Sequence, residues 1–157
     1  MNLQENVSAF FVYGTLKFGQ LRGGLWPCKP QSIEPAVVLA KLFDLGSYPA
    51  ITPGTDWVFG ELWKFRLEDM ARTIIVLDQI EGYQELAKGN EYDRRVVDAE
   101  HQNSTGFRSQ KAFAYFVADL KVLSFAKPIP PFLTAFDRWV AAWPAPSSKV
   151  PKSFSEE

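Results

Sequence analysis

Hydrophobic spacing changes character along this chain, and that change limits the folds open to it. Leu67, Met70, Ile74, Leu77 and Ile80 recur at the spacing of one helix face, with Glu68, Asp69, Arg72 and Asp78 on the others. On either side the apolar residues come instead in short β-branched and aromatic runs. Residues 9–13, 37–45, 57–65, 92–98 and 111–117 read as strands. A second amphipathic helix is expected over residues 132–143, after Pro130 and Pro131. Its apolar face would carry Phe132, Leu133, Phe136, Trp139, Val140 and Trp143. Strands that do not alternate regularly with helices argue against a doubly wound parallel sheet. They indicate an α+β domain.

The connections are turn-rich. Residues 14–35 are heavy in glycine and proline and read as a long loop, a length that in compact domains usually serves function. Residues 46–56 separate two strands. Residues 100–110 read as a polar hairpin loop that leaves His101 in solvent. Residues 144–157, rich in Pro, Ser and charge, are expected to form a disordered tail, leaving 1–143 as one domain. A chain of 157 residues suits a single core.

Composition removes several chemistries. The formal net charge of -1 offers no electrostatic footprint for nucleic acid or an acidic membrane surface. No apolar run is long enough to span a bilayer. Residues 1–8 do not read as a signal peptide, and the one cysteine, Cys28, cannot form an internal disulfide, so a reducing, cytoplasmic setting is expected. One histidine and one cysteine cannot build a His/Cys metal cluster, and no phosphate-binding glycine motif is present. Neither metal nor organic cofactor is expected. Carboxylates and backbone donors are left to do any chemistry.

Glu81 stands out among the carboxylates. It follows Leu77 by four residues and Ile74 by seven, which places it on the apolar face at the helix end, with Gly82 placed to stop the helix. Burial and the negative end of the helix dipole both favour the protonated acid, so both raise its pKa toward the range general acid/base catalysis needs. If the helix ends one residue early, Glu81 turns into water instead. The junction Tyr13-Gly14-Thr15-Leu16 is a second candidate. A glycine straight after a buried strand lets a ligand approach the backbone, and the N–H groups that follow can hold a carboxylate or oxyanion. An ordinary turn fits the same four residues. Arg94, on the same strand face as Tyr92, could pair a substrate carboxylate or serve a structural salt bridge. Asp78, one turn before Glu81, suits a helix-surface or tuning role.

Taken in order, the motifs resemble the γ-glutamyl cyclotransferase-like family, which includes AIG2-like proteins and γ-glutamylamine cyclotransferases. The resemblance begins at Phe11-Val12-Tyr13-Gly14-Thr15-Leu16-Lys17 with Gly19-Gln20, and continues at Gly46-Ser47-Tyr48-Pro49-Ala50. It runs on through Val58-Phe59-Gly60-Glu61-Leu62-Trp63 and Leu77-Asp78-Gln79-Ile80-Glu81-Gly82-Tyr83. Tyr92-Asp93-Arg94 and Ala114-Tyr115-Phe116-Val117 are similar to the family's later strands. The segment after Trp26 and the region from Phe132 have no counterpart. The resemblance implies a small mixed β-barrel with flanking helices and a pocket between the Tyr-Gly-Thr-Leu loop and the motif glutamate, here Glu81. It implies a small-molecule γ-glutamyl substrate converted to 5-oxoproline and a free amine, with Tyr13, Gly14, Thr15, Leu16, Tyr48 and Tyr115 around it. Thr15, where glutathione-specific relatives carry serine, argues against glutathione. A binding module that keeps the pocket without turnover is the alternative reading, because fold does not secure activity. An interaction protein using its aromatic residues at a surface is a third.

Overall fold

The first strand, β1 (Ala9–Val12), is apolar without alternation because both of its faces are buried. Phe11, with Tyr13 just beyond, joins one core cluster, and Phe10 and Val12 join a second. The structure, a computed structural model, describes residues 6–103 and 106–146. Two long strands, β2 (Ser32–Asp44) and β3 (Pro49–Lys64), pair antiparallel along most of their length. A hairpin follows, β4 (Tyr92–Asn103) with β5 (Gly106–Val117). β5 repeats the two-sided burial of β1: Ala112, Ala114 and Phe116 face the first cluster, Phe113, Tyr115 and Val117 the second.

The pairings β2–β4, β4–β5, β5–β1, β1–β3 and β3–β2 close on themselves. The result is a ring that is antiparallel except at β1–β5, with the first core cluster inside it. The closure is uneven. Described pairings are Ala36 with His101 and Val37 with Glu100 at the β2–β4 seam, and Phe10 with Phe113 at β1–β5. A short β6 (Lys127–Pro128) extends β2, and β7 (Leu133–Ala135) with β8 (Arg138–Ala141) extends β3.

The one α-helix among the described residues, α1 (Met70–Glu81), lies against the second cluster through Met70 and Leu77, with Ile74 and Ile80 partly buried. It starts after a 3₁₀ turn, Leu67–Asp69, so Leu67 stands outside the helix and is exposed. A second 3₁₀ segment spans Leu120–Phe125.

Three expectations are corrected. Residues 132–143 form a β-hairpin, not a helix. Phe136 and Asp137 take φ of 52° and 58°, the paired left-handed values of a two-residue hairpin turn, and β8 then pairs parallel with β3. Residues 46–56 are mostly strand. β3 begins at Pro49, and the register shift between Ala40 and Lys41 leaves residues 53–55 out of the ladder as a bulge, which absorbs Pro53 and Gly54 without ending the pairing. Residues 100–103 and 106–110 likewise continue the hairpin strands. His101 is therefore not in solvent. It is 4% exposed, and its Nδ1 lies 2.9 Å from Glu34 Oε2. That carboxylate also meets Lys64 Nζ at 3.1 Å. Of the expected tail, residues 147–157 lie outside the described residues, and Ala145 packs against the core within the ring.

Candidate active site

α1 ends at Glu81 because Gly82 adopts φ 67°, a left-handed conformation that glycine takes without steric penalty. The N–H groups of Gly82 and Tyr83 turn back to the carbonyl of Asp78, the latter at 2.9 Å. The helix thus runs through Glu81 rather than stopping short of it. Glu81 lines a pocket of about 100 Å³ whose other wall is the junction leaving β1. Its carboxyl is pushed up to about 7, chiefly by burial. The Arg22 guanidinium pulls it down and the Glu91 carboxylate pushes it up. A group poised there exchanges protons at neutral pH in either direction.

Tyr13, Gly14, Thr15 and Leu16 line the same pocket. Gly14 is required sterically, because a Cβ there would fall 2.7 Å from the Pro49 ring. Among the described residues no protein acceptor takes the N–H of Gly14, Thr15 or Leu16. The carbonyls of these residues, by contrast, are engaged by Lys17 N at 3.1 Å, Arg22 N at 2.7 Å and Trp26 Nε1 at 3.0 Å. The loop therefore folds with its carbonyls tied inward to its own chain and a run of donors left for a ligand.

Tyr48 and Tyr115 complete the group of expected residues at the pocket. Tyr115 Oη donates to Asp78 Oδ1 at 2.7 Å, and Tyr13 Oη donates to the Tyr115 carbonyl at 2.6 Å. Burial, and for Tyr115 also the bond to Asp78, raises both phenols well above their ordinary range, so they remain protonated donors. Arg94 is not in the pocket lining. Its Nη1 meets Asp78 Oδ2 at 2.6 Å, and its guanidinium lies between the rings of Tyr83 and Phe113. Arg94 and Asp78 thus act as a structural pair that holds Tyr115 in place. Burial raises Asp78 despite the Tyr115 and Arg94 bonds that favour its charge.

Three polar or charged lining residues lie outside the expected set: Arg22, Glu91 and Tyr92. Tyr92 Oη donates to the Pro49 carbonyl at 3.1 Å and ties β4 to the start of β3. Tyr92 shares the strand face read for Arg94, but nothing in the sequence aims Arg22 or Glu91 at Glu81, because both sit in irregular chain.

The arrangement is close to that of known folds. YkqA from Bacillus subtilis superposes with a TM-score of 0.52 at 20% identity, over 84% of this chain and 39% of that one. An AIG2-like protein from Mus musculus gives a TM-score of 0.52 at 18% identity, over 71% of this chain and 77% of that one. At such identities the likeness concerns the fold alone. No curated protein matches the chain. No helix among the described residues is long and apolar enough to cross a membrane. The family model of γ-glutamyl cyclotransferase, AIG2-like, matches residues 10–131, and the chain belongs to that family, whose function in general is of cyclotransferase type.

Proposed function

We propose that the protein cyclises a γ-glutamyl amine or γ-glutamyl amino acid to 5-oxoproline and releases the amine, with Glu81 as general base and then general acid. The observation that carries this reading is that the Glu81 carboxyl, poised near 7, shares one pocket with the unclaimed N–H groups after β1. The substrate's α-amino group attacks its own γ-carbonyl and closes a lactam. Glu81 takes a proton from the α-ammonium. The carbonyl oxygen, negative in the tetrahedral intermediate, is stabilised by the N–H groups of Gly14, Thr15 and Leu16. As the C–N bond to the leaving group breaks, Glu81 returns the proton to that nitrogen, and the second proton of the ring nitrogen passes to the released amine, which leaves as an ammonium. The attack is intramolecular, so the protein needs mainly to hold the bent conformer and move protons. Tyr13, Tyr48 and Tyr115 shape the walls around that conformer.

The test is 5-oxoproline release from a panel of γ-glutamyl amino acids, γ-glutamyl-ε-lysine and glutathione. Glu81→Gln keeps the side chain's shape but cannot shuttle a proton. It should lower turnover by roughly a hundredfold or more while leaving the fold intact. Full activity in that variant would refute the assignment of Glu81. Saturable binding without release from any substrate would favour the non-catalytic binding module.

A further inference from the structure

We propose that Arg22 reads the α-carboxylate of the substrate, leaving the loop N–H groups free for the γ-carbonyl oxygen. This assignment rests on the γ-glutamyl reading above and divides between two groups a task that the loop alone would otherwise perform.

The loop that carries Arg22 is a built structure. Its residues are pinned at several points: Lys17 Nζ donates to the Trp143 carbonyl at 2.6 Å, Phe18 N to Glu61 Oε1 at 2.8 Å, and Trp26 Nε1 to the Leu16 carbonyl at 3.0 Å. Arg22 N donates to the Thr15 carbonyl at 2.7 Å. That bond folds the loop back so that Arg22 stands beside the same short stretch that offers the free donors. Its side chain then forms part of the pocket wall with Glu81.

Charge explains what this placement is for. Arg22 is the cation among the residues lining the pocket, where Glu81 and Glu91 supply the negative charge. Among the described residues no carboxylate lies within ion-pair distance of it. A half-buried guanidinium held beside a pocket without an ion-pair partner favours an anionic ligand. The head of a γ-glutamyl compound carries an ammonium and a carboxylate on one carbon. It therefore needs a carboxylate and a cation close together in one site, and Glu81 with Arg22 supplies that pair. Arg22 also draws the Glu81 carboxyl downward, the direction expected of a cation in the same pocket.

The assignment is tested on the product, so that no turnover is required. Binding of 5-oxoproline and of 2-pyrrolidinone, the same lactam without its carboxylate, is titrated calorimetrically into wild type, Arg22→Gln and Arg22→Lys. The wild type should prefer 5-oxoproline by roughly ten- to hundredfold. Arg22→Gln should remove most of that preference by weakening 5-oxoproline and leaving 2-pyrrolidinone unchanged. Arg22→Lys should keep part of it, because the charge survives without the planar fork. Arg22 anchors the loop through its backbone, so both variants should keep the wild-type melting temperature. A preference that survives in Arg22→Gln would put the carboxylate on the loop N–H groups and overturn the assignment. A wild type that binds both lactams alike, or neither, would overturn it too. An Arg22-dependent preference in a protein that releases no 5-oxoproline would keep the assignment and remove the catalytic reading instead.

Discussion

Glu81, the residue proposed to move the proton, is held in a state that costs stability at neutral pH. The unfolded chain ionises this carboxyl near the ordinary 4.5, whereas the folded protein holds it protonated to about 7, mainly through burial. Between those values the folded state binds more protons than the unfolded one, so the contribution of this group to stability falls as pH rises through the window. Above it the full penalty of a charged, half-buried carboxylate remains. Glu81→Gln removes the titration. The variant should match wild type near pH 4 and melt at a higher temperature near pH 8, as read by thermal denaturation at both pH values. A pH-independent difference would mean that the folded and unfolded pKa values coincide. Glu81 is legible in the sequence because a helix period carries side-chain direction: four residues from Leu77 is one turn on the same face. Arg22 is not, because it comes to the pocket of Glu81 through a folded loop, and a loop has no period from which direction can be read. Arg94 is a middle case. Its strand face can be inferred, but only the position of Asp78 on the neighbouring helix decides that it pairs there at 2.6 Å.

At the scale of elements, strands buried on both faces are the easiest to read and the C-terminal hairpin the hardest. β1 is a continuous apolar run, and α1 has a clear stripe, so each appears near its expected place. Residues 132–143 carry apolar side chains at helical spacing too. A segment this short gains little from helix propensity alone, so the partner available in the fold decides. That partner is β3, which takes Val140 opposite Trp57 and Ala141 opposite Val58. Arg138 adds a guanidinium 4.1 Å from the centre of the Trp57 ring. The hairpin makes a prediction whose sign a helix would reverse. With φ of 58° at Asp137, Asp137→Gly should stabilise the protein by up to about 1 kcal/mol, and Asp137→Val should destabilise it by about 1–2 kcal/mol. In a helix interior glycine would instead cost roughly 0.5 kcal/mol relative to aspartate, and valine would change little. Urea denaturation midpoints of the two variants decide between the two.

Over the whole molecule, closure of the ring depends on its narrowest seams, and the β2–β4 seam carries the chain's only histidine. The Glu34 carboxylate there draws together β2, β3 and β4, through its own strand, Lys64 and His101. Burial lowers the His101 pKa below its ordinary 6.5, helped by the positive charges of Lys64 and Arg108 and opposed by Glu34. The ring thus closes on a neutral imidazole. The unfolded chain takes up this proton near 6.5 and the folded protein resists it. The stability due to His101 is therefore present at neutral pH and is lost as pH falls below 6.5. Its sign is opposite to that of Glu81, so the two act against each other over part of the acid range and only variants can separate them. In His101→Gln the acid-sensitive contribution disappears while a polar side chain remains beside Glu34. Between pH 7.5 and 5, the urea midpoint of wild type should fall further than that of His101→Gln, whatever their difference at neutral pH. Equal falls would mean that the folded protein accepts the proton as readily as the unfolded chain. The contact with Glu34 would then be an ion pair strong enough to offset burial, and the seam would be held by charge rather than by a neutral side chain packed between strands.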